Sequence, residues 1–459
     1  MRTTTHQPRL LNALLTGICF LLTSTAYLAW TYHIMELAKA PLSDAITLII
    51  GYLFQAAGVG LFSLFTKYRK DQIQISVYIV LGLHMVFMIP AVLSAGLVQA
   101  AVFGSIMNLL CGWIAGYYLY RLTTGIKAAH SAMTLGIGYS AAIIISWLLS
   151  LIGDGYLYNS WIILIICFVF SMIAALIIRM KPRVEEDALT GSDLPVKSPP
   201  AGEKAFRTLL ILAVFFILLI SMVNSCGFGF PSGDVMNGIS LEFSRLFYAA
   251  GLLLAGFVND RNRRHGAICA VIALVVPFIM LAIKGEPVSM MIFWILSYFT
   301  FGFYSIYRMI LFSDIAREKG LIYLCGFGLF IGRIGDAAGE AVTLTLSGLT
   351  IIMIAITATL FMAAVILFFR VYQYIYLPET KMQRSEREIF QHFSERHDLS
   401  SREREVLRFL LEEKTNKEIA DALSISEGTV KYHIHNLLQK TSCSNRLDLL
   451  AAFSAEQDI

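Results

Sequence analysis

After Ser426 the chain places Thr429, Lys431, Tyr432, His433, Asn436 and Lys440 on one helical face, with Val430, Ile434, Leu437 and Leu438 on the other. The polar face donates and accepts hydrogen bonds and carries no acid, which suits a helix lying in a DNA major groove. A second set of reactive side chains stands inside apolar sequence. Arg333, Asp336 and Glu340 are three and four residues apart and share a helical face. Glu242 and Arg245 repeat that spacing, and Arg308 lies near the end of another apolar run. Charges within a membrane span are costly, so they are default site candidates. They fit a central polar pocket or ion-coupled switch, and equally a set of ion pairs locking helices together. His84, Gln55, Asn108 and Asn224 are milder cases, and His84 fits a satisfied interior position.

The elements that would carry the first set are legible from caps. Ser400-x-x-Glu403 and Thr415-x-x-Glu418 are capping boxes, each followed by an apolar stripe. Ser426 and Ser444 can cap a third and a fourth helix, the fourth with Leu447, Leu450 and Ala451 inward. Ser424-Ile425-Ser426 leaves only a short turn between helices two and three, the geometry of a helix-turn-helix.

The segments SREREVL, TNKEIADAL, SEGTVKYHI and NR resemble the DNA-binding domain of LuxR-type (GerE) regulators over roughly the last 55 residues. The resemblance implies that Thr429, Val430 and Lys431 meet bases or adjacent backbone. It implies that Lys417, His433, Asn436 and Lys440 mainly contact phosphates, and that the fourth helix dimerises. Two positions depart from the pattern. Glu413 stands for the usual Gly, and Thr441-Ser442-Cys443 for Leu-Gly-Val. Acids slightly outnumber bases here, so dimerisation or local concentration has to support affinity. The competing reading is a helical protein-interaction domain, which needs no such polar face.

The rest of the chain is of another kind. Of 459 residues, 57% are hydrophobic and 15% charged, which points to a membrane protein. The seven cysteines are scattered without metal-ligand or redox spacing, so neither a disulfide framework nor a zinc site is expected. Leu10–Trp30 is long for a signal-peptide core and reads as a retained first span. Apolar stretches of spanning length recur to Tyr376, about twelve in all. Lys and Arg cluster in alternate loops, as at Lys67, Arg69 and Lys70, or Arg261, Arg263 and Arg264. By the positive-inside rule both termini are cytoplasmic, in the plasma membrane.

The fold expected is all-α: a six-plus-six membrane bundle and a four-helix C-terminal domain. The expected boundaries are 1–180 and 206–376 for the membrane halves, 181–205 and 377–398 for linkers, and 399–459 for the small domain. Two six-helix halves joined by a long loop resemble the major facilitator superfamily. Gly256 to Arg264 also looks like that family's G-x-x-x-D-R-x-G-R-R loop, with Arg263 in place of a Gly. The loop from Gly60 to Lys70 keeps the bases but has lost the aspartate. Ile389, Phe390 and Phe393 share a face that could dock on the membrane domain, pair with a second copy, or belong to a plain linker.

No P-loop, nucleophile elbow or metal cluster is seen, so no catalytic residue, metal or cofactor is expected. The combination reads as a membrane-bound one-component transcription regulator. Its expected partners are double-stranded DNA, the lipid bilayer and a small-molecule ligand, with a dimer formed on DNA. The alternative is a secondary transporter carrying a regulatory domain. A weaker one is a domain freed by proteolysis near Lys381.

Overall fold

The computed structural model describes residues 7–39, 43–151, 159–180, 203–229, 241–280, 287–376, 389–412 and 414–457. Most of the expected 181–205 linker, the site near Lys381, Glu413 and the side chain of Glu242 lie outside the described residues. Contacts divide the chain into two units, Met1–Tyr376 and Leu377–Ile459.

The larger unit holds six helices in its first half: α1 (Gln7–Ala38), α2 (Ser43–Tyr68), α3 (Ile73–Leu93), α4 (Leu97–Gly125), α5 (Ala128–Ser150) and α6 (Ser160–Arg179). The second half holds α7 (Glu203–Gly229), α8 (Leu241–Arg261), α9 (Arg263–Ala273), α10 (Val276–Met280), α11 (Pro287–Glu318), α12 (Phe327–Thr345) and α13 (Thr350–Tyr376). Short α9 and α10 together form one broken rod. Pro277 sits in the first turn of α10, where its missing N–H leaves no gap in the helix ladder. Among the described residues twelve rods therefore stand at the twelve expected places.

Nine helices among the described residues are long and apolar enough to cross a membrane. The other three rods are the charged α8, the broken α9–α10 and the charged α12. Such rods have to be shielded by neighbours, because a charge facing lipid is expensive.

The halves meet along α5–α8 and α2–α12. Lipid tails supply no hydrophobic drive between helices, so close van der Waals contact and hydrogen bonds hold these seams. A Cβ on Gly136 would lie 2.7 Å from the Leu252 carbonyl oxygen, and one on Gly256 would lie 2.9 Å from the Ala132 oxygen. The Ser140 hydroxyl donates to the Ala249 carbonyl at 2.8 Å in the same seam. The glycines of α12 act likewise: Gly335 and Gly339 bring its backbone against Leu218 and Met222 of α7.

In the smaller unit residues 389–396 are helical (α14), followed by α15 (Ser401–Leu411), α16 (Asn416–Leu423), α17 (Glu427–Thr441) and α18 (Arg446–Gln457). Both capping boxes form: Ser400 with Glu403, and Thr415 with Glu418. Ser426 caps α17 by accepting the Thr429 N–H at 3.1 Å. Ser424 and Ser442 end α16 and α17 at φ +54° and +58°. These left-handed positions favour glycine, so the serine in the departing Thr441-Ser442-Cys443 segment carries local strain.

Two expectations are corrected here. The stretch 377–398 is not linker throughout: Phe393 is buried in the small unit's own core, 5.2 Å from the Phe453 ring, with Ile389 and Phe390 beside it. The fourth helix turns Leu449 and Phe453 inward, while Leu447 is 78% exposed and Ala451 is exposed. Its cap is one residue later than expected, since the Asn445 side chain accepts the Asp448 N–H at 2.9 Å.

The α5–α8 seam gives a direct test. Gly136→Val forces a branched side chain against the Leu252 carbonyl and should destabilise the full chain by about 1–3 kcal/mol. Gly82→Val, where a Cβ meets nothing within 4 Å, should leave the unfolding midpoint in detergent unchanged.

Candidate nucleic-acid interface and membrane cavity

The helix-turn-helix is built by α16 and α17, with Ser424 turning the chain. Along α17 the exposed residues are Glu427, Gly428, Lys431, Tyr432, His435, Gln439 and Lys440, of which Gly428, Lys431, Tyr432, His435 and Gln439 form a stripe at helical spacing. Lys417 on α16 is also exposed. Thr429, His433 and Asn436 are half-buried at the edge of this stripe, and the Thr429 hydroxyl is hydrogen-bonded to Ser426 at 2.8 Å.

Two expected contacts change role. Val430 is fully buried in the core with Leu437 and Ile419, and so offers no surface to DNA. Its place in the inward apolar stripe overrides its place in the motif. Lys440 reaches back to the Asp398 carbonyl and the Glu403 carboxylate, both at 2.8 Å, and ties the end of α17 to the cap of α15. Arg446, the arginine of the NR segment, donates to the Lys414 carbonyl at 2.8 Å and pins α18 to the loop before α16. Tyr432, 63% exposed, and His435 join the outward face instead.

Carboxylates hold the caps. Burial opposes ionisation of Glu403, but Lys440 and the Ser400 N–H and hydroxyl outweigh it and hold its pKa below the usual range. The Thr415 N–H does the same for Glu418, and the Ser444 N–H for Asp448.

In the larger unit the expected charged residues of α11 and α12 do meet. Asp336 accepts from Arg308 at 3.0 Å and from Arg333 at 3.5 Å, and from the Tyr304 hydroxyl at 3.3 Å. The single Tyr304 hydroxyl proton is also within reach of the Ser221 oxygen, at 2.7 Å, so it serves one acceptor or the other. Glu340, one turn further along, is held by the Ser225 hydroxyl at 3.0 Å. Arg333 also lies over the Tyr52 ring, 4.9 Å from its centre. One carboxylate thus serves two guanidinium groups.

Of these, Arg308, Arg333 and Tyr52 border a cavity of about 280 Å³ between the two halves. Phe20, Tyr27, Tyr52, Tyr118, Tyr248 and Phe301 supply aromatic walls, and Arg245, Arg308 and Arg333 supply the charge. Among the described residues, none that lines the cavity is acidic. The convergence of these aromatics had no sequence signal, because they come from five different helices.

A second buried charge cluster lies toward the basic loops. Arg263 is almost wholly buried and pairs with Asp314 at 2.8 Å and Asp260 at 3.0 Å. It also donates to the Ala128 carbonyl. Asp260 accepts the Ala132 and Met133 N–H groups at 2.9 and 2.8 Å. Arg317 pairs with Asp314 and donates to the carbonyls of Leu122, Thr123 and Ile126 at the end of α4. The arginine that replaces the loop's usual glycine is the hub of this network.

Residues 397–453 match the model of the family "Bacterial regulatory proteins, luxR family". The C-terminal unit carries a LuxR-type helix-turn-helix. The spore germination protein GerE of Bacillus subtilis (strain 168) is 52% identical over 48 residues, 10% of this chain and 65% of that protein. The transcriptional regulatory protein DesR of the same organism is 41% identical over 58 residues, 13% of this chain and 29% of that protein. The chain thus spans less than two thirds of either relative. The proton:xylose symporter XylE, of the major facilitator superfamily, superposes with a TM-score of 0.57 over 82% of this chain and 96% of its own, at 11% identity. The larger unit therefore has a major-facilitator-like, multi-pass membrane fold.

The caps of the LuxR-type unit set its acid limit. A carboxylate whose folded pKa is depressed stabilises above its unfolded value, near 4.3 for Glu and 3.9 for Asp, and loses that contribution as pH falls through the lower folded value. Helical content of a 377–459 fragment, followed by circular dichroism, should be flat at neutral pH and fall below about pH 4. Glu403→Gln with Glu418→Gln should lower stability at pH 7 and flatten the acid-side slope.

Proposed function

We propose that this chain is a membrane-bound one-component transcription regulator. Its LuxR-type helix-turn-helix binds double-stranded DNA, and its major-facilitator-like unit senses a small molecule. The observation that carries the reading is one polypeptide holding both an intact helix-turn-helix with an exposed polar stripe and a ligand-sized cavity inside a membrane bundle. Lys431, Tyr432 and His435 face outward for the major groove, with Lys417, His433 and Asn436 toward the phosphates. The exposed Leu447 and Ala451 of α18 serve contact with a second copy, which doubles the basic contacts of a weakly charged domain. The alternate basic loops favour a cytoplasmic position for both termini, where DNA would be reached from the plasma membrane. No catalytic group or cofactor enters this reading. A ligand shifts the unit between states only by binding one of them better, so the signal is the cavity's differential affinity for two arrangements of the halves.

The second reading, a secondary transporter with an appended regulatory domain, draws on the same cavity and on the pairing of its Arg308 with the buried Asp336. The two separate by substitution. Lys431→Ala should weaken binding to a genomic target by about 1–3 kcal/mol, seen as lost peaks in chromatin immunoprecipitation of the intact protein. If occupancy and transcription survive Lys431→Ala while Asp336→Asn abolishes uptake of a solute, the transporter reading replaces the regulator.

A further inference from the structure

We propose that the cavity of the larger unit binds a small neutral aromatic molecule carrying a hydroxyl or carbonyl oxygen at one end, with that oxygen on Arg333 and the ring among the apolar walls. This names the ligand class of the sensor and rests on that reading for its biological role, though not for the binding itself.

Most polar groups of the wall are already spent within it. Thr23 and Ser24 donate to the Cys19 and Phe20 carbonyls of their own helix, at 2.9 and 2.7 Å. The Gln55 amide donates to Asn108 at 2.8 Å, Tyr118 pairs with Tyr139, and Tyr248 donates to Ser305 at 3.0 Å. Arg308 donates from Nη1 to Tyr304 and Asp336. A guest ringed with hydroxyls, such as a sugar, would bury more polar groups than this wall can answer, and an unmet buried group is costly.

What remains gathers around one tyrosine. Tyr27 of α1 and Tyr52 of α2 have ring centres 6.0 Å apart, and the Arg333 guanidinium of α12 lies 4.9 Å from the centre of the Tyr52 ring. The Tyr27 hydroxyl is buried without a hydrogen-bond partner. Arg333 reaches Asp336 only at 3.5 Å, through one nitrogen, and its side chain is 24% exposed. The rest of its planar fork is therefore within reach of a guest in the cavity that it lines. Phe20, Val59, Ala115, Ile143, Phe301 and Leu329 give the same cavity apolar walls. A guest with an apolar ring and one polar end matches that division.

The buried ion set favours a neutral guest. Arg308 and Arg333 stand with Asp336 and Glu340, two cations to two acids. Arg245 is also in the wall and has an interaction of its own, so it argues for neither sign. A charged guest would give up its hydration and find no unmatched partner in that set. A neutral oxygen accepts from Arg333 and leaves the balance as it is. Size sets the other limit. An apolar cavity of about 150 Å³ takes a benzene ring, so one of about 280 Å³ takes a ring with a short substituent. Aromatic walls, with the Tyr248 and Phe301 rings 4.9 Å apart, suit a flat guest.

The test is thermal unfolding of the purified full chain in detergent with p-cresol and acetophenone. Toluene serves as the ring without an oxygen, benzoate as the acid and glucose as the polyol. At least one of p-cresol and acetophenone should raise the midpoint at millimolar concentration, toluene should act more weakly, and benzoate and glucose should not act. Arg333→Leu should weaken the effective compound about tenfold. Should that variant fail to fold, Arg333→Lys keeps the charge, loses the planar fork, and should weaken the same compound. Ala115→Leu takes up cavity space without touching a charge and should weaken it as well. A shift from toluene, benzoate or glucose that equals the effective compound's, an unchanged response in a folded Arg333 or Ala115 variant, or no shift from either p-cresol or acetophenone overturns the proposal. A compound that shifts the midpoint but leaves chromatin occupancy unaltered overturns the sensor reading and leaves the site standing. No shift, with occupancy still dependent on Lys431, overturns the ligand class and leaves the regulator.

Discussion

Asp260, Arg263, Asp314 and Arg317 can exist inside an apolar bundle only as a closed set. Each carboxylate there meets a guanidinium, and both arginines also take backbone carbonyls at the ends of α4 and α5. Removing one partner would leave a buried charge unmet, which costs far more than the pair itself contributes. The network therefore acts as a clamp across the two halves, joining α8, α9 and α11 to α4 and α5. Asp314 lies six residues beyond Arg308 on α11, about 9 Å along the helix, so the clamp stands just outside the cavity on the side of the basic loops.

This clamp explains why a degenerate loop motif still makes structural sense. Arg263 occupies a glycine position, yet its side chain fills the space between Asp260 and Asp314. The corresponding junction of the first half is built differently, with Lys67 over the ring of Tyr323, 5.2 Å away. One side of the pseudo-symmetric bundle is thus held by buried ion pairs and the other by a softer cation–π contact. The cavity lies among helices from both halves, whose seams combine close glycine contacts with a shared apolar cluster that includes Leu135, Leu252 and Ile306.

The small unit depends on a different economy. Its core gathers apolar residues from all five helices, and those helices are stopped and started by side-chain caps. Lys440 closes the ring by joining the end of α17 to the first capping box. Phe393 adds a ring from α14, so the segment that leads into the domain is part of what holds α18 in place through Phe453. A change imposed on that segment reaches the fourth helix directly within the unit. That gives the stretch with Ile389, Phe390 and Phe393 a structural role none of its three sequence readings contained.

By itself the sequence determined the helices, their caps, the helix-turn-helix, the two six-helix halves and the face shared by Arg333, Asp336 and Glu340. Those features are local: a cap acts over three residues, a helical face over four, and a span over its own length. Only the tertiary structure decided that Asp336 answers two arginines, that Arg263 is a hub, and that tyrosines from separate helices form one wall. Helical periodicity relates a face to its own helix and not to a neighbour. In a bundle apolar on nearly every side it cannot say which faces meet. Val430 shows the boundary between the two kinds of information. Its periodicity placed it inward and its motif placed it on DNA, and packing against Leu437 and Ile419 settled the conflict in favour of the core.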